Sequence, residues 1–241
     1  MTVQIERGRF PDIEGILEAI EATGPSPGYH RTHEEHERKY EANGNEHSIP
    51  FRTLQFQHLL FELVGSQNTF EILVNEKFGG VDECFEYYGP PGSNVVTMHR
   101  MRFGSNRSGR YTVKQRSANS DNTARQHLSL PLSYRDYHKK RQILQWMAAS
   151  AYSHRHSLVG QSGDFWFVHD HVSNKIIEIV LYKAGRAERD AQSPLRLLAE
   201  IAPKGCETVE EAVSIIDRYE KLLHLSGRRI LQSNMEIFAD K

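Results

Sequence analysis

Residues 34–41 read EEHERKYE and place Glu35, Glu37 and Lys39 at alternate positions. On a β-strand, alternate side chains share a face, so two carboxylates and an ammonium group would lie together. Two interpretations are open. The segment is either a charged face in contact with solvent, as most charge runs are, or an inward-facing polar surface of a water-filled barrel. In the second case the carboxylates would hold a divalent metal ion and the basic groups an anion.

Charged residues alternate in the same way in later segments that are predicted as strands. NVVTMHRMRF carries Arg100 and Arg102 on one face, and RYTVKQRS carries Lys114 and Arg116 on one face. In the same way, HRHS carries Arg155 and LRLLAEIA carries Glu200. If these faces line one lumen, the bases can neutralise a polyanion such as a triphosphate. Glu35, Glu37 and Glu200 would then supply oxygen ligands for Mg²⁺ or Mn²⁺, which would orient or activate water.

Strand patterns dominate the central and C-terminal parts of the chain. Helical periodicity predicts helices over about 11–23, 51–65, 136–150 and 207–225, each bounded by turn or capping residues. Between them, turn sequences such as GG, GPPGSN and GSNRSG separate short β-patterns, among them TFEILVNEKF and ECFEYYG, and HRHSLVGQ and DFWFVHDH. Most connections are too short for parallel crossovers. We therefore predict an α+β fold, an eight-stranded antiparallel β-barrel with helices packed outside it.

Composition excludes several classes of function. The 30 Lys and Arg residues nearly balance the 31 Asp and Glu residues, which argues against coating nucleic acid through bulk charge. Cys84 and Cys206 are the two cysteines and show no CxxC spacing, so neither a disulfide framework nor a zinc knuckle is supported. The start lacks a leader pattern, and no apolar run approaches membrane-spanning length. We expect a soluble, cytoplasmic protein with no membrane partner.

The charged segments resemble motifs of the CYTH domain, the triphosphate tunnel metalloenzyme family. The run from Glu35 to Lys39 matches its opening ExExK pattern. FEYYGPP, MHRMRF, RYTVKQR, LLAEIAPKG and LQSNMEIF resemble its later motifs in the same order. The resemblance covers about 33–240, which implies a CYTH-like tunnel domain over 33–241 and an N-terminal extension over 1–32.

This resemblance implies a tunnel that binds a triphosphate end-on with one or two divalent ions, Mg²⁺ or Mn²⁺. By position, Glu35 and Glu37 resemble metal ligands, and Glu200 a further metal or water ligand. The expected phosphate contacts are Lys39, Arg100, Arg102, Lys114 and Arg155, and strand alternation alone adds Arg116. Asp170 and Glu178 are weaker candidates that fit surface acids equally well.

The chain departs from the family pattern at three places. Gly89 replaces the acid of FEYYGPP, and His127 and Ser129 replace acids in RQHLSL. Where AEIE is expected, the chain reads AEIA, so the methyl group of Ala202 replaces a carboxylate at a catalytic position. A lost ligand should weaken the metal site or misplace the attacking water. Either Ala202 is natural, or it replaces a glutamate so that substrate is held without turnover; we favour the second.

These residues support the hypothesis of a metal-dependent phosphohydrolase. Its substrate would be inorganic tripolyphosphate, a nucleoside triphosphate, thiamine triphosphate or a 5′-triphosphate RNA end. Two alternatives stay open: an adenylate cyclase of the same fold, in which a ribose 3′-OH replaces water, and a tunnel that only binds a polyphosphate or nucleotide. The sequence does not identify a partner protein.

Overall fold

The computed structural model describes residues 33–42, 49–66, 69–88, 95–104, 109–117, 124–151, 153–187, 194–232 and 234–238. The predicted extension over 1–32, with its helix near 11–23, lies outside these residues. The described strands are β1 His33–His36, β2 Arg38–Glu41, β3 Phe70–Tyr88, β4 Val95–Gly104, β5 Gly109–Ser117, β6 Ala124–Leu132, β7 Ser153–Asp170, β8 Lys175–Arg186, β9 Arg196–Lys204 and β10 Arg229–Ile230. The helices are α1 Ile49–Ser66, α2 Tyr134–Ser150, α3 Val209–Leu222 and α4 Asn234–Phe238.

All the strands belong to a single antiparallel sheet in the order β1-β6-β5-β4-β3-β7-β8-β9-β2-β10. β1 and β2 follow each other in the chain and are separated only by Glu37. Because β1 pairs with β6 and β2 pairs with β9, this one segment joins the two sides of the sheet. Counted as one strand, it completes a ring of eight, apart from the two-residue β10. The predicted fold class is thus confirmed, although hydrogen bonds do not close the sheet at this junction.

Two pairs of predicted strands are each one long strand. β3 runs without a turn through Gly79 and Gly80, which pair with Ser162 and Gln161 of β7. β7 likewise continues through Gly163, where an added Cβ would lie 2.1 Å from the carbonyl oxygen of Leu181. Gly163 therefore permits close approach between β7 and β8, and none of these glycines forms a turn.

The hydrophobic core lies between the sheet and the helices. Trp166, Ile179 and Ile201 of β7, β8 and β9 are buried in one cluster with residues of α1 and α3, such as Leu60 and Ile216. A second cluster packs Leu144 of α2 against β3, β4 and β5. Helices α1, α2 and α3 thus cover one face of the sheet, as predicted. In the described part of the chain, no helix is long and apolar enough to cross a membrane.

A buried carboxylate attaches α2 to this outer face. Glu83 of β3 accepts hydrogen bonds from Tyr137 Oη and from Arg141 Nε at 2.8 Å, and its Oε1 lies 3.0 Å from His156 Nε2. Burial alone would raise the pKa of Glu83, but the hydrogen bonds from His156, Tyr137 and Arg141 outweigh it and lower the pKa to about 2. The ionised form of Glu83 is therefore part of the folded structure.

We expect Glu83→Gln to lower the free energy of unfolding at neutral pH by about 3 kcal/mol, since each pKa unit corresponds to about 1.4 kcal/mol. A carboxylate with a lowered pKa stabilises the fold above its ordinary value of 4.5, and this contribution is lost as the pH falls towards 2. The difference between the two proteins should therefore shrink over that interval. Urea unfolding at stepped pH measures it. The exposed Glu210→Gln is the control, and an equal loss there, or a loss for Glu83→Gln that does not change with pH, would contradict the assignment.

Candidate functional site

The strand register places the charged candidates on the face opposite α1, α2 and α3. Paired residues of an antiparallel ladder share a face. Arg102 pairs with Asp82 of β3, and on the same face Lys114 of β5 pairs with Met98 of β4. Across the ring, Lys39 of β2 pairs with Glu200 of β9. These charged candidates therefore share the inner face, whereas the two clusters that contain α1, α2 and α3 lie on the outer face.

The outer face of β2 shows the same alternation. Arg38 forms an ion pair with Asp217 of α3, and Tyr40 Oη donates a hydrogen bond to Glu220 Oε2 at 3.0 Å. These side chains attach the strand to the helix outside the ring. Lys39, between them in the chain, points to the opposite side.

Asp82 forms ion pairs with both arginines of β4, Arg100 and Arg102. Arg102 donates from Nε to Asp82 Oδ1 at 2.7 Å and from Nη2 to Oδ2 at 2.9 Å. Gln161 Nε2 donates to the same Oδ2 at 3.1 Å, and Arg100 Nη1 lies 3.8 Å from it. Asp82 is 3% exposed, while 35% of the Arg102 side chain remains accessible. The bidentate pair thus holds a guanidinium group that still faces open space.

Glu200 belongs to a second polar group on the opposite wall. Its Oε1 lies 3.1 Å from Lys39 Nζ and accepts a hydrogen bond from Tyr182 Oη at 2.6 Å. Asn234 Oδ1 accepts from the same lysine at 2.7 Å and from the same tyrosine at 3.1 Å. The carboxylate and the ammonium group are therefore both held in fixed positions.

Asn234 begins α4, which lies against the inner face. Phe238, at the end of this helix, is buried against Tyr182 of β8 and Leu198 of β9, which share the inner face with Glu200. Its carbonyl oxygen accepts a hydrogen bond from Arg186 Nε at 2.9 Å. The helix therefore covers part of the inner face along β7, β8 and β9 and supplies one side chain to the polar group.

Lys114 reaches Glu37 across the inside of the ring. Lys114 Nζ lies 3.4 Å from Glu37 Oε2, and both residues are buried. β5 does not pair with the β1–β2 segment, because β6 lies between them. The contact therefore passes over the inner face of β6.

Charges on opposite walls also act on one another. β4 and β9 are four strands apart in either direction around the ring. Burial alone would lower the pKa of Arg102, but Asp82 and, from the opposite wall, Glu200 raise it. Burial raises the pKa of Tyr182 well above its usual value, with further contributions from Glu200 and Glu37. Glu37, Glu200 and Arg102 therefore lie close enough to interact within one interior.

The remaining candidates lie near the end of a strand or outside the described side chains. Arg155 of β7 pairs with Glu86 of β3 on the inner face; it is exposed, and its guanidinium carbon lies 5.2 Å from the centre of the Tyr88 ring. Glu35 pairs with Arg125 in the β1–β6 ladder and Arg116 pairs with Val96 in the β4–β5 ladder, but the side chains of Glu35 and Arg116 are not among those described.

The two weaker acidic candidates occupy different places. Glu178 pairs with Ala202 on the inner face, and its carboxylate lies 2.5 Å from Lys204 Nζ. Asp170 is fully buried, forms an ion pair with Arg218 of α3 and accepts the backbone N–H of Val172 at 3.0 Å. Asp170 is thus a structural acid of the hairpin between β7 and β8, neither a surface acid nor a tunnel residue.

Sequence reasoning missed several residues of the interior: Asp82, Gln161, Tyr182 and Asn234. Asp82, Cys84 and Glu86 alternate in VDECFEYY, and this signal was readable. This alternation was overlooked because the predicted turn at Gly79 and Gly80 placed Asp82 beside a turn rather than within a strand. Burial raises the pKa of the Cys84 thiol, which argues against a thiolate nucleophile at this position.

The carboxylates of the interior suit a divalent metal ion of the Mg²⁺ type. Glu37 and Glu200 offer hard oxygen donors, which such ions prefer to nitrogen or sulfur. Each carboxylate is now paired with a lysine, Lys114 or Lys39, so a metal would take the place of an ammonium group. Binding of a metal would thereby release two cationic side chains towards an anion.

The fold is similar to that of a solved structure with a TM-score above 0.5, and two further structures match less well. The PH1012 protein of Pyrococcus horikoshii OT3 matches with a TM-score of 0.55 at 12% identity, over 85% of this chain and 99% of that chain. The PH1819 protein of the same organism matches with a TM-score of 0.48 at 14% identity, over 84% of this chain and 97% of that chain. HpAC1 from Hippeastrum, in which a dominant triphosphatase activity was revealed, matches at 0.48 and 13% identity, over 85% and 94%. No protein-family model and no curated protein matches the chain.

Proposed function

We propose that this chain is a divalent-metal-dependent phosphohydrolase of triphosphate-bearing substrates. The observation that supports the proposal best is the inner face, where basic and acidic side chains from opposite walls meet inside one ring. Its substrate would be tripolyphosphate, a nucleoside triphosphate, thiamine triphosphate or an RNA 5′-triphosphate end. The fold that the chain shares with PH1012 supports the ring but says nothing about the reaction.

The basic side chains would bind the phosphates. Arg100 and Arg102 present planar guanidinium groups, which can bind phosphate oxygens in a bidentate manner. Lys39 and Lys114 add two point charges from other walls. Arg116 and Arg155 would extend this binding surface towards the ends of their strands. Bases on several walls would surround a phosphate chain and stabilise the negative charge that develops on it.

The carboxylates would hold Mg²⁺ or Mn²⁺ and a water molecule. Glu37 and Glu200, with Glu35, are the proposed ligands, and the metal would neutralise phosphate charge and orient the attacking water. Tyr182 keeps Glu200 in place through its hydrogen bond. Because Ala202 supplies no carboxylate, turnover would be slow in this chain even where binding is strong.

The interior also predicts that metal and triphosphate bind together. In the described structure the carboxylates of Glu37, Glu200 and Asp82 are each paired with a base. A triphosphate that entered alone would meet these carboxylates as like charges. A metal on the carboxylates removes that repulsion and releases the lysines.

We expect Glu37→Gln to affect tripolyphosphate binding differently with and without Mg²⁺. The variant should lose most of the increase in tripolyphosphate affinity that Mg²⁺ produces, because a metal ligand is gone. Its metal-free affinity should rise by about tenfold, or about 1.4 kcal/mol, because a repelling charge is gone and Lys114 is released. Calorimetric titration with and without Mg²⁺ measures both effects. A fall in both affinities would show that Glu37 supports the fold rather than the metal.

A panel of triphosphates assayed with Mg²⁺ and with Mn²⁺ tests the proposed reaction. Orthophosphate and pyrophosphate are measured separately. Release of orthophosphate supports a triphosphatase, whereas cyclic nucleotide with pyrophosphate would identify a cyclase. Tight binding without turnover, which Ala202 makes a specific alternative, would identify a binding tunnel if it persists in Ala202→Glu.

A further inference from the structure

Two histidines and a glutamate form a cluster at the end of β7. Ligand atoms of Glu71, His169 and His171 all lie within 4.8 Å of one another. Glu71 is paired with His169 across the β3–β7 ladder, and His171 follows two residues later in the turn. Cross-strand pairing and the alternation of a strand thus bring three possible metal ligands to one side.

The backbone holds this cluster in place. His171 N donates to the carbonyl oxygen of Thr69 at 2.9 Å, which continues the pairing of the two strands into the turn. In the same turn, Asp170 accepts hydrogen bonds from Val172 N and Ser173 Oγ and pairs with Arg218 of α3. The hairpin is therefore fixed to a helix before any ligand binds, so the cluster is built on ordered elements.

A neighbouring amide sets the tautomer that His169 needs for metal binding. His169 Nε2 lies 3.1 Å from Asn174 Oδ1, an atom that only accepts hydrogen bonds. Nε2 must therefore carry the proton, which leaves the lone pair of Nδ1 available. Metal-binding histidines in general donate their second N–H to such an oxygen.

The donor set identifies the class of ion. Two imidazoles and a carboxylate suit Zn²⁺ and related first-row transition ions, whereas Mg²⁺ prefers oxygen ligands alone. Around a tetrahedral Zn²⁺, ligand atoms lie about 3.4 Å apart, so small side-chain rotations would close the present spacing. Three protein ligands leave a coordination position for water or for a donor from another molecule.

The cluster lies near the end of the inner face, beyond the residues proposed to bind metal and phosphate. His169 is eight residues beyond Gln161, about 26 Å along β7, and two residues beyond Phe167, which pairs with Glu178 of β8. Phe165 and Phe167 lie between Gln161 and His169 and pack on each other with ring centres 5.7 Å apart. A metal ion bound at the hairpin would therefore have ligands other than Glu37 and Glu200.

We propose that Glu71, His169 and His171 form a second metal site, specific for Zn²⁺ or a similar transition ion, at the end of the β7–β8 hairpin. The site does not depend on the function proposed for the tunnel. The exposed position of His171 gives an ion direct access from solvent.

Zinc titration of the full chain, with Mg²⁺ in excess to occupy the tunnel, tests the proposal. We expect one Zn²⁺ site whose affinity falls at least tenfold in His169→Ala and in Glu71→Gln, and severalfold in Asn174→Gly, which keeps the positive φ of that turn residue but removes its amide. His154→Ala, at the other end of β7, is the matched control and should bind as the unchanged protein does.

Titration with Co²⁺ gives a second measurement, because the absorption spectrum of Co²⁺ changes when imidazole nitrogens replace its water ligands. The spectrum of the unchanged protein should be lost in the double variant His169→Ala/His171→Ala. Zinc affinity that is the same in the unchanged protein and the double variant would overturn the proposal. Triphosphatase assays of the same variants test the tunnel separately, so failure of the zinc-site proposal can be distinguished from failure of the proposed function.

Discussion

Arg102→Ala is expected to weaken tripolyphosphate binding by at least a hundredfold, or about 2.7 kcal/mol. The substitution removes a guanidinium group that can bind phosphate oxygens in a bidentate manner. It also leaves Asp82, which is 3% exposed, without its main cationic partner. The unpaired carboxylate would then repel the incoming phosphates. Calorimetric titration with tripolyphosphate and Mg²⁺ measures the effect.

A paired variant separates loss of the cation from loss of structure. In Arg102→Ala/Asp82→Asn the unpaired charge is removed as well, so the double variant should bind more tightly than Arg102→Ala and less tightly than the unchanged protein. Lys139→Ala, an exposed basic residue of α2 on the outer face, should leave binding unchanged. Equal binding by Arg102→Ala and the unchanged protein would remove the inner arginines from the phosphate site.

Ala202→Glu is expected to raise metal-dependent phosphate release at least tenfold. Ala202 lies on the inner face, opposite Glu178 and two residues beyond Glu200. A glutamate there would place a third described carboxylate beside the proposed metal and its water, and a missing ligand typically costs at least tenfold. Initial rates of orthophosphate release with Mg²⁺ and Mn²⁺ measure the gain.

Ala202→Gln is the matched control for this gain. Glutamine has nearly the size of glutamate but no charge, so it should bind the metal poorly and leave the rate near that of the unchanged protein. Equal rates for the glutamate and glutamine variants would mean that the position does not hold a catalytic carboxylate. The chain would then be better explained as a tunnel that binds without turnover.

Much of the fold could be predicted from alternation alone. The spacing of Glu37 and Lys39, and of Arg100 and Arg102, indicated which side chains share a face. Strand register places Lys39, Arg100 and Arg102 on the inner side of the ring, and Glu37 contacts Lys114 there. Helical periodicity likewise predicted three outer helices close to their actual bounds, as in 51–65 for Ile49–Ser66. Both patterns are properties of single elements, which a sequence carries directly.

Features that depend on neighbouring strands could not be predicted in this way. Gly79 and Gly80 have the composition of a turn, yet β3 continues through them because both pair with β7 and Gly80 also pairs with β4. The bidentate partner of Arg102 was missed for this reason. Asn234 was missed because its role depends on α4 packing against the inner face, a contact between elements far apart in the chain.

A crystal structure of the unchanged chain with tripolyphosphate and Mn²⁺ tests the central claim most directly. The absence of a carboxylate at Ala202 should slow turnover enough to hold the ligand. We predict phosphate density within hydrogen-bond distance of Arg102 and Lys114, and an anomalous Mn²⁺ peak beside Glu37 and Glu200. Phosphate bound on the outer surface, with the contacts of Asp82 to Arg102 and of Glu37 to Lys114 intact inside the ring, would contradict the account.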